Sequence, residues 1–416
     1  MKVFKFGGAS IKDASAIKNM AEIVRSYQGE ELLVVVSAMG KTTNALENIL
    51  ALKTKGQNHT DELEKLHQYH HDIASQLFNE DHQIFEVIPS HIINLDLSLA
   101  HQADEMPANQ FYDQFVSHGE LLSSKIIHAY FVQIGLICEW YAAPDLIKTD
   151  DTFKAAKVDW EQSTSQIRTI LSPLLKHNLV VTQGFIGGHQ KHVSTLGREG
   201  SDYTAAIFGA ILEADSVTVW KDVEGILSSD PKLNSSATLY AELSYGEVAE
   251  MSYYGASVIH PKTIKPLANK QIPLFVRSFN NPTAPGTCIN HKQEEVLAPA
   301  VIFKKNQCLV SFRMRDYSFI EERNLGQIFH SLHDLDIAIN IMQNSAITFS
   351  VCIDFNAKKM DELLETLQAH FDIFYNTGLT LITIKNYDQE TLDQYKNQEN
   401  MVLEQLSRKN YRVLIA

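Results

Sequence analysis

A lysine followed closely by two glycines, Lys5-Phe6-Gly7-Gly8-Ala9-Ser10, stands where a short apolar run ends. Glycines at a strand-to-helix junction can bring backbone N–H groups against an anion, and the lysine can neutralise charge on a phosphoryl group during transfer. The segment is neither a Walker loop nor a G-x-G-x-x-G fingerprint, and taken alone it also reads as a tight turn. A second glycine-rich stretch, Gly184-Phe185-Ile186-Gly187-Gly188, leads through Gly197-Arg198-Glu199-Gly200-Ser201-Asp202 into a helical pattern at Tyr203. A guanidinium among glycines has room to grip a carboxylate through two parallel hydrogen bonds, while Ser201 or Asp202 reads as a helix N-cap. A third loop, Lys221-Asp222-Val223-Glu224-Gly225, follows an apolar run, and Ser229-Asp230-Pro231-Lys232 comes soon after. Lys221 and Lys232 can meet nucleotide phosphates. In a doubly wound sheet ligands collect beyond the carboxyl ends of strands, so three loops of this kind can converge on one crevice.

The elements that must position these loops are legible as changes of period. Nearly continuous apolar runs at Val3–Phe6, Leu32–Val36, Leu179–Thr182, Val217–Trp220 and Leu274–Val276 predict parallel strands covered on both faces. Helical stripes at Ile17, Met20, Ala21 and Val24, and at Tyr203, Ala206, Ile207 and Ala210, predict the covering helices. Residues 1–290 therefore read as an α/β domain with a mainly parallel central sheet sandwiched by helices. Pro282, Pro285, Gly286 and Pro299 interrupt the pattern, and 300–416 reads as a separate α+β region with a weak, incomplete internal duplication. Its second copy is expected to stop at Ala416 short of a last strand and helix.

The 416 residues carry a formal charge of -14, which argues against attraction to nucleic acid or anionic membrane. Cys138, Cys288, Cys308 and Cys352 lie far apart without C-x-x-C spacing, so reduced thiols are expected rather than a zinc cage or disulfide framework. No apolar run reaches the roughly 18 residues of a membrane span, and Met1 leads straight into the first strand without room for a signal peptide. A cytoplasmic location is the expectation.

Taken together these segments resemble aspartate kinase, of the amino-acid kinase superfamily. Lys5–Ser10 is similar to that family's KFGG[TS]S signature, Ser37–Asn44 to its second loop and Ser117–Ser123 to its S-x-GE-x-x-S element. Gly197–Asp202 resembles GRGGSD, Asp222–Pro231 resembles D-V-x-G-I-x-x-x-DP, and Gly255–Pro261 resembles GAKVLHP. The resemblance implies an amino-acid kinase fold followed by ACT-like, ferredoxin-like regulatory domains. It also implies phosphorylation of the side-chain carboxylate of L-aspartate by ATP, the first step toward lysine, threonine and methionine. Lys5 and Asp222 would be catalytic, with Thr43, Glu120, Arg198, Ser201 and Asp202 around aspartate. Lys5, Gly7, Gly8, Ser10, Lys221, Asp222, Leu227, Lys232 and Ser257 would meet ATP, whose phosphates would hold most of the Mg²⁺ coordination. The acceptor carboxylate, with a pKa of about 3.9, is already ionised, so no general base is needed.

Three departures stand inside the motifs: Ala9 lacks the usual hydroxyl, Glu199 replaces a common glycine, and Ser257 stands where many members carry a nucleotide-contacting lysine. Ile339–Ile347 resembles the effector strand VDLI-x-x-SEVS, with Asn340 and Ala346 in place of its two acids. Asn340, Gln343 and Ser345 are accordingly the candidate effector residues, and a homodimer through the ACT-like region is implied. His67, His70 and His71 are read as a solvated helix face or a helical cover near the substrate, His260-Pro261 as a helix terminator, and Tyr253 and Tyr254 as packing residues. The alternatives are a kinase of the same superfamily acting on acetylglutamate, glutamate or a nucleotide, and a non-catalytic amino-acid sensor.

Overall fold

The computed structural model describes all residues except 102, 104, 257–258, 293–297, 317 and 398. Two compact units are present, and their sequences interleave: one comprises Met1–Ile226, Leu239–Ala249 and Val258–Glu294, the other Leu227–Thr238, Glu250–Ser257 and Glu295–Ala416.

Among the described residues the first unit has ten strands: β1 (Lys2–Phe6), β2 (Leu32–Val36), β3 (Cys138–Trp140), β4 (Leu179–Gln183), β5 (Ile186–His189), β6 (His192–Thr195), β7 (Ser216–Lys221), β8 (Glu242–Ser244), β9 (Leu274–Ser278) and β10 (Thr287–Asn290). Eight of them form one sheet in the order β3-β4-β2-β1-β7-β9-β10-β8, parallel except between β9 and β10. β5 and β6 make a separate antiparallel hairpin. All five apolar runs of the sequence lie in this sheet.

Helix α1 (Ala14–Arg25) follows β1, and five helices lie between β2 and β3: α2 (Thr42–Thr54), α3 (Thr60–Ser75), α4 (Ile84–His101), α5 (Ala108–Val116) and α6 (His118–Gln133). Then come α7 (Ala143–Leu146), α8 (Trp160–Leu175), α9 (Gly200–Leu212), α10 (Tyr245–Tyr254), whose residues are divided between the two units, and α11 (Pro261–Lys270). α1 starts where the Asp13 carboxylate accepts from Ala16 N at 2.8 Å, and it buries Ile17, Met20, Ala21 and Val24. Two readings of helix ends are corrected. Glu199, not Ser201 or Asp202, is the N-cap of α9, which places those two residues inside the first turn. His260 opens α11 rather than ending a helix: its side chain accepts from Lys262 N, and Pro261 occupies the first turn, where a missing N–H costs nothing.

β1 is the hinge of the topology, with β2 on one side and β7 on the other. Phe6 is paired in register with Trp220 and stacks on it, ring centroids 5.9 Å apart, while Phe4 meets the same indole edge-on at 5.6 Å. All three rings are buried, each contributing about 1.5–3 kcal/mol by leaving water. The carboxyl ends of β1, β2 and β7 are thereby clamped side by side.

The second unit is a six-stranded antiparallel sheet in the order β12-β13-β11-β14-β16-β15. Its strands are β11 (Ala300–Met314), β12 (Ile339–Asn344), β13 (Thr348–Asp354), β14 (Phe371–Lys385), β15 (Met401–Leu406) and β16 (Asn410–Ile415). β11 and β14 each run for 15 residues through the whole unit, with a register break between Lys304 and Leu309, and this continuity was not evident from the shorter apolar runs. Helices α12 (Glu322–Asp334) and α13 (Ala357–Leu367) bury Ile328, Leu332, Met360, Leu363 and Leu367 into one apolar cluster. α14 (Gln389–Lys396) places Leu392 in another. Cys138, Cys288, Cys308 and Cys352 are all free thiols, and among the described residues no helix is long and apolar enough to cross a membrane.

Candidate active site

Glycines decide how closely the loops meet at the carboxyl end of the sheet. A Cβ on Gly8 would lie 2.6 Å from Gly40 O and 3.0 Å from Ala38 O, and Gly40 N donates to Gly8 O at 3.1 Å. No larger residue lets the turn after β1 rest on the turn after β2. Gly184, just past β4, donates to Val36 O at 2.7 Å, and a Cβ there would fall 2.6 Å from Ser201 Cβ. The start of α9 is thus drawn against the same edge.

Into that edge project the charges. Lys5 Nζ lies 2.6 Å from Asp202 Oδ1, and Lys221 Nζ lies 3.3 Å from Asp202 Oδ2. Asp202 is fully buried. Burial pushes its carboxyl pKa up, but the charges of Lys5 and Lys221 outweigh that and hold it below the usual range. Both cations are held against this carboxylate at the sheet edge, where their ammonium groups can meet a phosphoryl group. Glu120, in the first turn of α6, presents the opposite case. Its Oε1 accepts from Ala38 N at 3.3 Å, and its Oε2 has no hydrogen-bond partner among the described residues. Burial pushes its pKa up to about 8, the Ala38 N–H opposing only in part.

Lys5, Thr43, Glu120, Arg198, Ser201 and Asp202 line one cavity of about 710 Å³. Gly8 lines it too, while a Cβ on Gly7 would sit 3.2 Å from Lys5 Nζ. Glu199 enters at φ 54°, a left-handed conformation that a glycine adopts without strain. Other expected residues lie elsewhere. Ser10 is buried and donates from Oγ to Trp220 O at 3.2 Å, tying the first loop to β7 instead of facing the cavity. Asp222 is exposed and is not in the cavity wall. Leu227 and Lys232 belong to the second unit, and Ser257 lies outside the described residues.

The cavity also contains residues that the motifs did not announce. Tyr112 donates to Glu47 Oε1 at 2.6 Å, and Lys154 Nζ sits 4.6 Å above the Tyr112 ring. Behind this wall the wholly buried Asp113 accepts from Lys154 N at 3.0 Å, Thr195 N at 2.7 Å and Thr195 Oγ1 at 2.8 Å, joining α5 to β6 and to the loop at Lys154. Of the two readings of the α3 histidines, a solvated face or a helical cover near the substrate, the position of His70 fits the second. His70 is fully buried, with Nδ1 2.8 Å from Leu66 O and Nε2 3.4 Å from Thr42 Oγ1, and burial lowers its pKa to about 4. A neutral imidazole therefore backs the helix that presents Thr43.

In the second unit Asn340 is buried within a closed network. Its Oδ1 accepts from Lys304 Nζ at 2.8 Å, and its Nδ2 donates to Gln307 Oε1 at 2.7 Å and Asp354 Oδ1 at 3.2 Å. Lys304 also pairs with Asp354 Oδ2 at 3.0 Å. Gln343 and Ser345 are exposed, and Ser345 Oγ donates to Thr348 O at 3.1 Å. Tyr253 is more than packing: it is 62% exposed, its hydroxyl 3.3 Å from Ile339 O, while Tyr254 accepts from Asn410 Nδ2 at 3.1 Å beneath the Arg412 guanidinium.

Comparison with known proteins bears on the family and the fold. Residues 1–278 match the model of the amino acid kinase family. Lysine-sensitive aspartokinase 3 of Escherichia coli is 31% identical over 398 residues, which cover 93% of this chain and 87% of that protein. Chloroplastic aspartokinase 2 of Arabidopsis thaliana is 32% identical over 85% of this chain and 66% of its own length. Among solved structures, E. coli aspartokinase III in complex with aspartate and ADP superimposes with a TM-score of 0.84 at 29% identity, over 100% of this chain and 96% of that one. The same E. coli protein in complex with lysine and aspartate gives 0.83 at 28%, with the same coverage.

Proposed function

This chain belongs to the amino acid kinase family, among its aspartokinases, and from that premise we propose how its side chains divide the work of phosphorylating aspartate. The enzyme is an ATP-dependent kinase of the side-chain carboxylate of L-aspartate, acting in amino-acid biosynthesis. The observation that carries the assignment of roles is the single cavity in which Lys5, held by Asp202, faces the same space as Arg198 and Glu120.

Arg198 takes the α-carboxylate of aspartate, with the hydroxyls of Thr43 and Ser201 beside it, and Glu120 takes the ammonium, which supplies the partner that Oε2 lacks. The free side-chain carboxylate attacks the γ-phosphorus. One oxygen–phosphorus bond forms, the bond to the bridging oxygen breaks, and ADP leaves with that electron pair, so no proton moves. Lys5 and the backbone of Gly7 and Gly8 meet the charge of the transferring group. Asp202 holds Lys5 and Lys221 in position, and the role of Asp222, which lies outside the cavity wall, rests on the family resemblance. The roles of Leu227, Lys232 and Ser257 rest on the family resemblance alone. Mg²⁺ accompanies ATP, since phosphate oxygens and water satisfy its preference for hard ligands.

Hydroxylamine trapping of the acyl phosphate, with purified chain, ATP and Mg²⁺, tests this reading. Aspartyl hydroxamate is expected, with far less product from glutamate. No hydroxamate, or more from glutamate than from aspartate, overturns it.

We further assign catalysis to residues 1–290 and regulation to 300–416. The amide of Asn340 is committed to Lys304, Gln307 and Asp354, so lysine is expected to leave activity unchanged. Dimerisation through the antiparallel sheet is suggested by the exposed apolar side chains of Met342, Phe374 and Tyr375. Sedimentation at increasing protein concentration measures that assembly.

A further inference from the structure

Helices α8 and α11 both pack against α9, and along that contact runs a trough of about 680 Å³, distinct from the catalytic cavity. Its floor is Tyr203, Ala210 and Ile211 of α9. Trp160, Thr164 and Arg168 recur every fourth residue along α8 and so form one wall, and Lys262, Lys265 and Asn269 do nearly the same along α11 to form the other. Residues 155–158 also line it.

The charge of this trough runs against that of the molecule. The chain has a formal charge of -14, yet Lys157, Arg168, Lys262, Lys265 and Lys270 all line one cavity. Glu213 neutralises one end, pairing with Arg168 at 3.0 Å and Lys270 at 3.4 Å. Lys157, Lys262 and Lys265 have no carboxylate within ion-pair distance among the described residues. Between them lies apolar surface, including Trp160, which is 41% exposed. Like charges gathered around an apolar floor repel one another, and a ligand with complementary charge and a flat body relieves both costs.

We infer that this trough binds a small organic anion bearing two or more negative charges on a flat apolar body, the class to which nucleoside phosphates belong. Its volume falls within the roughly 300–1,000 Å³ of small-molecule sites. The phosphate charges meet Lys157, Lys262 and Lys265, and the flat body lies toward Trp160. The trough and the catalytic cavity are lined by adjacent residues: Lys154 and Asp202 line the cavity, and their neighbours Ala155 and Tyr203 line the trough.

Calorimetric titration of the full chain with AMP, in parallel with pyrophosphate and adenosine, tests this without requiring turnover. AMP is expected to bind wild type and Lys5→Ala alike, and more tightly than either fragment. In Lys262→Glu/Lys265→Glu, which changes only exposed side chains, AMP binding should weaken roughly tenfold or more. Thr164→Trp, which fills the trough and leaves its charges intact, should weaken it comparably. The inference is overturned by absence of AMP binding, by its loss in Lys5→Ala, or by pyrophosphate binding as well as AMP in a manner indifferent to Thr164→Trp.

Discussion

In the first unit Lys5 and Lys221 share Asp202, and beside them Glu120 keeps one carboxylate oxygen without a hydrogen bond. In the second, Lys304, Gln307, Asn340 and Asp354 satisfy one another in a ring of contacts between 2.7 and 3.2 Å. The first cluster is made of two lysines and two carboxylates, the second of one lysine, two amides and one carboxylate, and the two stand in opposite states of completion. A buried polar atom left unpaired costs about 1–3 kcal/mol, and more when charged, a cost sustained where an incoming group will supply the missing partner. The open cluster is therefore built for a ligand, and the closed one for cohesion of its sheet.

Substitutions can break or sharpen this contrast. The largest effect is expected from Lys5→Ala, which removes the cation proposed to meet the transferring group and leaves Asp202 with Lys221 alone. Steady-state assay should show kcat falling by about 10³-fold or more, with the circular dichroism spectrum retained. Next is Glu120→Gln. Losing a charge-assisted contact of about 1.5–3 kcal/mol should raise KM for aspartate by roughly 10- to 100-fold with a smaller change in kcat. The pH dependence gives this its signature. With a pKa near 8, Glu120 is mostly protonated at neutral pH in the free enzyme, so wild-type affinity for aspartate should rise up to about pH 8 and then level, and the Gln variant should lack that rise. Stability moves the other way. Between the ordinary carboxylate range and about pH 8 the folded chain binds more protons at this group than the unfolded chain, so its contribution to stability falls with rising pH.

On the closed side, Asn340→Ala leaves Lys304 and Gln307 short of partners. It should cost roughly 1–3 kcal/mol in urea unfolding while leaving aspartate kinetics unchanged. A change in KM there would erase the distinction between the clusters. The smallest effect is expected from Glu199→Gly: relief of the left-handed conformation should add about 1 kcal/mol, less the extra freedom glycine gains in the unfolded chain, read as a small rise in Tm.

Much of the open cluster was legible beforehand. Lys5, Glu120, Arg198 and Asp202 sit in short segments whose glycines permit close approach, and the apolar runs placed β1, β2, β4, β7 and β9 correctly. What escaped depends on partners distant in the chain. Asp113 lies between Phe111 and Phe115 on an unremarkable amphipathic helix, and only the fold brings Thr195 to it. Tyr112 and Glu47 meet across 65 residues. His70 belongs to a polar-looking face because neighbouring histidines and carboxylates mask the one position that turns inward. The closed network was invisible for a related reason: Asn340 looked like a lost acid, and no local pattern shows that Lys304 reaches it.

The two 15-residue strands of the second unit have a further consequence. Because β11 and β14 each continue from one half of the sheet to the other across the register break at Lys304–Leu309, the two halves share backbone and cannot be separated without opening both strands. Slow amide exchange should therefore extend along both strands with a common opening energy, and a perturbation at either rim should be felt across the whole sheet.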